Sequence, residues 1–136
     1  MIATLSIVRY PRYLGWAGFL SMALFRLPLW LSSKIKFYKL MGCGRNGTFD
    51  KTPDWRQWAL LTIGTAVDAG YRPSFIKIWW KVFGVEIWEL QLAPIEGHGT
   101  WDGKEVFGVL PKQSDYEGAI GILTRATIRP SQLGRF

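Results

Sequence analysis

Few of the 136 residues carry side chains suited to covalent or redox chemistry. There is one histidine, His98, and one cysteine, Cys43. So small a set cannot make a structural zinc site, and no local signature marks a Ser-His-acid triad. No internal disulfide can form, so the reducing cytoplasm is the default expectation. Cys43 lies in the glycine-bearing stretch Phe37-Tyr38-Lys39-Leu40-Met41-Gly42-Cys43-Gly44-Arg45-Asn46-Gly47-Thr48-Phe49. Gly42, Gly44 and Gly47 have the G-x-G-x-x-G spacing of a dinucleotide site, but such a site needs a helix directly after its last glycine. Here Thr48 to Pro53 is turn sequence, and Pro53 biases Thr52 away from helix. The stretch reads instead as a strand entering a loop where backbone approaches something closely. Arg45 reads either as a contact for an anionic group such as a carboxylate or as a solvated turn arginine.

The composition narrows the partners. The net charge is +7, the apolar fraction 49%, and there are eight tryptophans. A basic chain suits nucleic acid or the anionic face of a membrane. The Lys and Arg residues are spread singly among aromatics, which argues against nucleic acid and for a membrane surface. Large aromatics build a core, an apolar pocket or a membrane-facing surface. The length suffices for one domain with its own core.

The elements that must position these residues follow from periodicity. Ile2 to Tyr10 reads as a strand, with Ile2, Thr4, Ser6 and Val8 on one face and Ala3, Leu5 and Ile7 on the other. Nothing at the N-terminus reads as a secretory signal. Leu14 to Leu31 is apolar over the length of a membrane span, but Arg26 and Pro28 fall inside it. The expectation is a non-spanning helix from about Leu14 to Leu27, touching the bilayer surface, with Gly15, Gly18 and Ser21 as a stripe of small residues. Strands are expected over Ser32 to Met41 and Asp54 to Thr65, the latter with Trp55, Ala59, Leu61 and Ile63 on one side and Trp58 and Leu60 on the other. Pro73 opens a helix whose apolar stripe is Phe75, Ile78, Trp79, Val82 and Phe83, with Lys77 and Lys81 opposite and Gly84 ending it. Val85 to Ile95 reads as a strand with Trp88, Leu90 and Leu92 on one face. A glycine-rich loop over Glu96 to Gly108 carries His98, Trp101 and Phe107, and a polar linker runs from Pro111 to Gly118. A last strand is expected over Ala119 to Ile128. The order predicts an α+β fold, a ferredoxin-like α/β sandwich with an antiparallel sheet and two helices. Residues 1–118 form that domain. Residues 119–136 make a closing strand and the start of a second repeat, since Thr124 to Pro130 echoes Thr4 to Pro11.

Three stretches together resemble the spheroidene monooxygenase family of carotenoid-oxygenating proteins. They are Phe37 to Gly44 with Pro53-Asp54-Trp55 to Ala59-Leu60-Leu61 behind it, Leu92-Ala93-Pro94-Ile95-Glu96-Gly97-His98-Gly99-Thr100-Trp101-Asp102-Gly103 with Phe107 after it, and Leu123-Thr124-Arg125-Ala126-Thr127-Ile128-Arg129-Pro130. The resemblance spans nearly the whole chain and the N-terminal half of the family's usual length. It implies two ferredoxin-like halves of the dimeric α/β-barrel type, haem, O2, an electron donor protein and a long apolar polyene such as spheroidene as substrate. It implies a cytoplasmic protein at the inner-membrane surface and admits a homodimer.

The resemblance also implies residue roles. His98 becomes the candidate haem ligand and metal site, against the reading of an exposed loop histidine. Cys43, where relatives carry another small residue, offers a thiolate that Lys39 and Arg45 would activate by lowering its pKa. Lys39, Arg45 and Arg125 are candidates for the haem propionates. Gly42, Gly44, Phe49, Trp55 and Trp101 are the candidate substrate contacts, and Trp58 and Trp88 read as further pocket or core residues. No residue stands out as a general acid or base. The alternative is a non-catalytic ferredoxin-like module that dimerises through its sheet and holds haem or an apolar ligand, and a single-span membrane protein is a third reading.

Overall fold

The computed structural model describes residues 1–45, 52–97 and 99–123. Strand β1 (Ile2–Arg9) is followed by helices α1 (Gly15–Leu24) and α2 (Arg26–Leu31). Strands β2 (Ile35–Gly44) and β3 (Pro53–Gly64), helix α3 (Ser74–Val82) and strand β4 (Glu86–Leu92) come next. The strands form a four-stranded sheet in the order β2-β3-β1-β4, and each neighbouring pair is antiparallel. With helices on one face this is the α+β ferredoxin-like sandwich that the element order predicts. β1 alternates as expected. Val8 and, just beyond the strand, Tyr10 join the core beneath the helices, while Ala3 and Leu5 belong to a second cluster on the opposite face. Tyr10 is fully buried, and its hydroxyl accepts a hydrogen bond from Trp79 Nε1 at 3.0 Å.

The apolar segment after β1 is broken into two helices rather than running as one from Leu14 to Leu27. Phe25 is the joint, and Pro28 is the third residue of α2. In a helix's first turn the backbone N–H groups need no intrahelical acceptor, so proline's missing donor costs nothing there. No helix among the described residues is long and apolar enough to cross a membrane. The small residues of α1 point inward: Ala17, Gly18 and Ser21 are buried, and Ser21 Oγ donates to the Gly18 carbonyl at 2.6 Å. A Cβ on Gly18 would overlap the indole of Trp58, whose Nε1 donates to the Trp55 carbonyl at 2.8 Å.

Helix α3 turns a different stripe inward from the expected one. Ile76 and Trp80 are buried, Trp79 and Phe83 half-buried, and Phe75, Ile78 and Val82 exposed. The sequence holds two overlapping apolar stripes, 75/78/79/82 and 76/79/80/83, which periodicity cannot rank. Local packing ranks them. Phe25 stands edge-on to both Trp79 and Trp80 at 6.1 Å, and the Arg72 guanidinium lies 5.2 Å over the Trp80 ring. Arg72 also pairs with Glu89 and donates to Ser6 Oγ at 3.3 Å, filling the sheet surface beside Trp80 with polar groups. Gly84, with φ of 58°, ends the helix as expected.

Two further expectations are corrected. Trp55 shares the helix side with Trp58 rather than the side of Ala59 and Leu61; its ring is 5.7 Å from Phe19 of α1. The register jumps between Gly42↔Trp58 and Cys43↔Asp54, and this irregularity resets the alternation at the start of β3. Residues 119–123 are not in a strand, and the rest of the expected last strand lies outside the described residues.

Trp80→Ala is expected to cost about 3–5 kcal/mol in urea unfolding, as for loss of a buried indole. Val82→Ala, at a position 71% exposed, is expected to change stability by under about 0.5 kcal/mol. Gly18→Ala is expected to cost about 1–3 kcal/mol by overpacking against Trp58.

Candidate functional site

The sheet face turned away from the helices carries three apolar rows. Phe37, Ile63, Ala3 and Leu92 lie side by side across it, then Lys39, Leu61, Leu5 and Leu90, then Met41, Ala59, Ile7 and Trp88. The loop after β4 covers the first row with Trp101, Val106 and Phe107, and Trp101 stands edge-on to Phe37 at 6.3 Å. Backbone hydrogen bonds of 2.9 Å in each direction between Trp101 and Lys104 pin that loop's tip, where Asp102 and Gly103 have positive φ. The third row is more open, and Trp88 is 55% exposed. A pocket of about 470 Å³ follows the β2 edge, with Arg26 and Trp30 of α2 among its walls on the helix side and Lys39 and Asp102 on the other. It therefore links the two sides of the sheet.

Lys39 lies in this face with its Nζ 2.6 Å from Asp102 Oδ2. Cys43 sits at the far end of β2, opposite Asp54 in the register. Burial raises its thiol pKa first, the Asp54 charge raises it further, and a hydrogen bond with Gln57 offsets part of the effect. Activation by Lys39 and Arg45 is thus corrected. The Lys39 ammonium is held by Asp102, and its residue lies four positions back along the strand, about 13 Å at about 3.3 Å per residue. Arg45 is exposed, and its backbone N–H donates to the Thr52 carbonyl at 3.0 Å.

The remaining candidates separate. A Cβ on Gly42 would lie 3.6 Å from the Trp58 ring, so Gly42 faces the helix side, and Gly44 pairs with Pro53 at the strand end. Trp55 is half-exposed beside α1 and Trp58 is in the core, whereas Trp88 and Trp101 belong to the opposite face. Trp55 and Trp101 are therefore not brought together. His98, Phe49 and Arg125 lie outside the described residues. Sequence reasoning missed the partnership of Lys39 with Asp102, 63 residues apart. The Asp102-Gly103 dipeptide is a turn signal that locates the loop tip but not its target.

The largely apolar part of the face runs from Trp101 at one end to Trp88 at the other. Lys39 and Asp102 neutralise one another at its border, and the other members of the rows are apolar. Three curated proteins match this chain. The spheroidene monooxygenase of Rhodobacter capsulatus is 34% identical over 99% of the chain and 58% of its own length. That of Cereibacter sphaeroides is 31% identical over 98% of the chain and 42% of its own length. That of Rubrivivax gelatinosus is 31% identical over 74% of the chain and 40% of its own length. The chain is similar to the spheroidene monooxygenases. It spans about half the length of the curated relatives it matches. No family model and no solved structure matches it.

Of the haem contacts that resemblance to the spheroidene monooxygenases implies, His98 and Arg125 lie outside the described residues. Among the described ones, burial raises the Cys43 thiol pKa, the Lys39 ammonium is engaged by Asp102, and Arg45 is exposed at the far end of β2. These groups do not converge on one ligand.

The burial of Cys43 disfavours its charged form, so at any pH the thiolate fraction is smaller than in a free cysteine. Alkylation by iodoacetamide is expected to be slow at neutral pH, with a midpoint above the ordinary thiol value of about 8.5. A midpoint below that value would restore Cys43 as an activated thiolate.

Proposed function

We propose that this chain takes part in the O2-dependent oxygenation of an acyclic carotenoid, and that its share of the work is to hold the polyene along the open sheet face. The observation carrying this reading is the similarity to proteins named spheroidene monooxygenase, which runs over nearly the whole chain. The apolar rows from Trp101 to Trp88 supply a surface of matching shape and polarity.

Monooxygenation puts one atom of O2 into the substrate and releases the other as water. It consumes an electron pair and protons, so an electron donor protein belongs to the proposal. Haem enters through the resemblance alone, and would supply O2 activation with the protein providing position and electrostatics. Its expected contacts His98 and Arg125 lie outside the described residues. A second sheet, from another copy of the chain in a homodimer, would complete the polyene slot, because two sheets packed face to face stand about 10 Å apart.

Bacterial cells that accumulate spheroidene supply cofactor and reductant from their own pools. Expression of the chain there under heavy-isotope O2 is expected to yield a carotenoid carrying labelled oxygen, and the purified chain is expected to bind spheroidene in detergent. Trp88→Ala with Leu90→Ala is expected to weaken that binding by about tenfold, equivalent to about 1.4 kcal/mol. Unlabelled pigment together with no binding of spheroidene would overturn the reading.

A further inference from the structure

The outward face of the helices is as apolar as the inward one. Along α1 the exposed residues are Trp16, Phe19, Leu20, Ala23 and Leu24, which recur at helical spacing. Leu27, Trp30 and Leu31 of α2 extend this surface. The only polar side chain in α1 is Ser21, and it is buried. Helix α3 adds Phe75, Ile78 and Val82, all exposed. The two helices lie side by side: Trp16 meets Phe83 edge-on at 5.6 Å, and Phe25 meets Phe75 at 6.2 Å. The exposed stripes are therefore parts of one continuous surface. A helix apolar on all sides belongs in a core or against lipid, and a surface of this kind on a soluble molecule marks an interaction site.

The charges say what covers it. Residues 1–49 hold seven Lys and Arg and no Asp or Glu. No acidic residue occurs in any of the three helices, whose charged side chains are Arg26, Lys77 and Lys81. Lys77 and Lys81 flank the exposed stripe of α3, and the exposed Arg12 and Tyr13 stand at the entrance to α1. Basic side chains at the rim of a Trp- and Leu-rich face fit an anionic lipid surface. The rings sit at headgroup depth, and long cationic side chains reach back to the phosphates. No helix among the described residues is long and apolar enough to cross a membrane, and a face of this kind suits the in-plane mode.

We propose that the outward face of α1, α2 and α3 docks this protein in-plane on an anionic lipid bilayer. The inference goes beyond the oxygenation reading and stands on a different surface from it. In the docked orientation the open sheet face points away from the bilayer, and the pocket along the β2 edge, starting at Trp30 and Arg26, connects the two sides.

Flotation of the purified chain with vesicles tests the proposal. Vesicles of phosphatidylcholine mixed with phosphatidylglycerol are expected to carry the protein up, and pure phosphatidylcholine vesicles to carry markedly less. Leu20→Glu with Ile78→Glu, both at exposed positions, is expected to abolish flotation while far-UV circular dichroism is retained. Lys77→Glu with Lys81→Glu leaves the apolar stripe intact and is expected to weaken binding to the anionic vesicles by at least about tenfold and to reduce its salt sensitivity. Trp88→Ala with Leu90→Ala is expected to lose carotenoid binding and still float, so failure of the oxygenation reading is separable from failure of this one. Parent protein that stays in the aqueous layer with both vesicle types would overturn the proposal. So would a dimer in size-exclusion chromatography that Leu20→Glu with Ile78→Glu dissolves without any vesicle binding by the parent, because the face would then be an interface between copies of the chain.

Discussion

The close approach of α1 to the start of β3 is the constraint on which much of this molecule depends. Gly18 lies against the Trp58 indole with no room for a side chain, and Gly15 lies against the Trp55 backbone. A helix that meets a sheet through Gly, Ala and Ser must carry its large residues elsewhere, and α1 carries them outward. The usual order of a surface helix is thereby inverted, with small residues in the core and Trp, Phe and Leu facing out. The core then takes its bulk from the sheet and from the far end of the helical layer. Trp58, Phe25, Leu29, Ile76 and Trp80 fill the space that α1 leaves.

The same arrangement divides the labour of the two sides of the sheet. On the helix side, aromatic packing around Phe25 locks α1, α2 and α3 together, and the Arg72, Glu89 and Ser6 cluster closes the rest with polar groups. On the other side the rows are apolar except for Lys39 at the β2 edge, and the loop carrying Trp101 covers one end of them. The ion pair between Lys39 and Asp102 ties that loop to the β2 edge. This explains how a strongly basic chain presents a largely apolar sheet face. Its lysines and arginines stand at the borders of apolar surfaces, and several hold carboxylates or carbonyls of the chain itself.

Much of the fold was legible in the residues. The alternation in β1, the period-two run from Ser32 to Met41, Pro28 inside the apolar segment and Gly84 after α3 each act locally, through pleat, ring geometry or positive φ. The stretches that resemble the spheroidene monooxygenases were legible too, and the similarity to those relatives agrees with them. The candidate site was less so. Trp55 and Trp101 look alike in sequence, yet an irregularity in the β2–β3 register places the first beside α1, while the loop after β4 places the second on the other side.

The sequence by itself determined the places of the four described strands and of the helix after Pro73, that Arg26 and Pro28 interrupt the long apolar segment, and which family the chain resembles. All of these follow from local stereochemistry and composition. Only the tertiary structure decided which apolar stripe of α3 is buried, that α1 turns its small residues inward, that Lys39 belongs to Asp102, and that burial raises the Cys43 thiol pKa. The reason is common to all four. Hydrophobicity separates a core face from a solvent face only when one of them is polar. In helices that are apolar on both sides, steric fit to neighbours distant in sequence makes the choice. A charge's partner or a thiol's environment is likewise set by what the fold brings beside it.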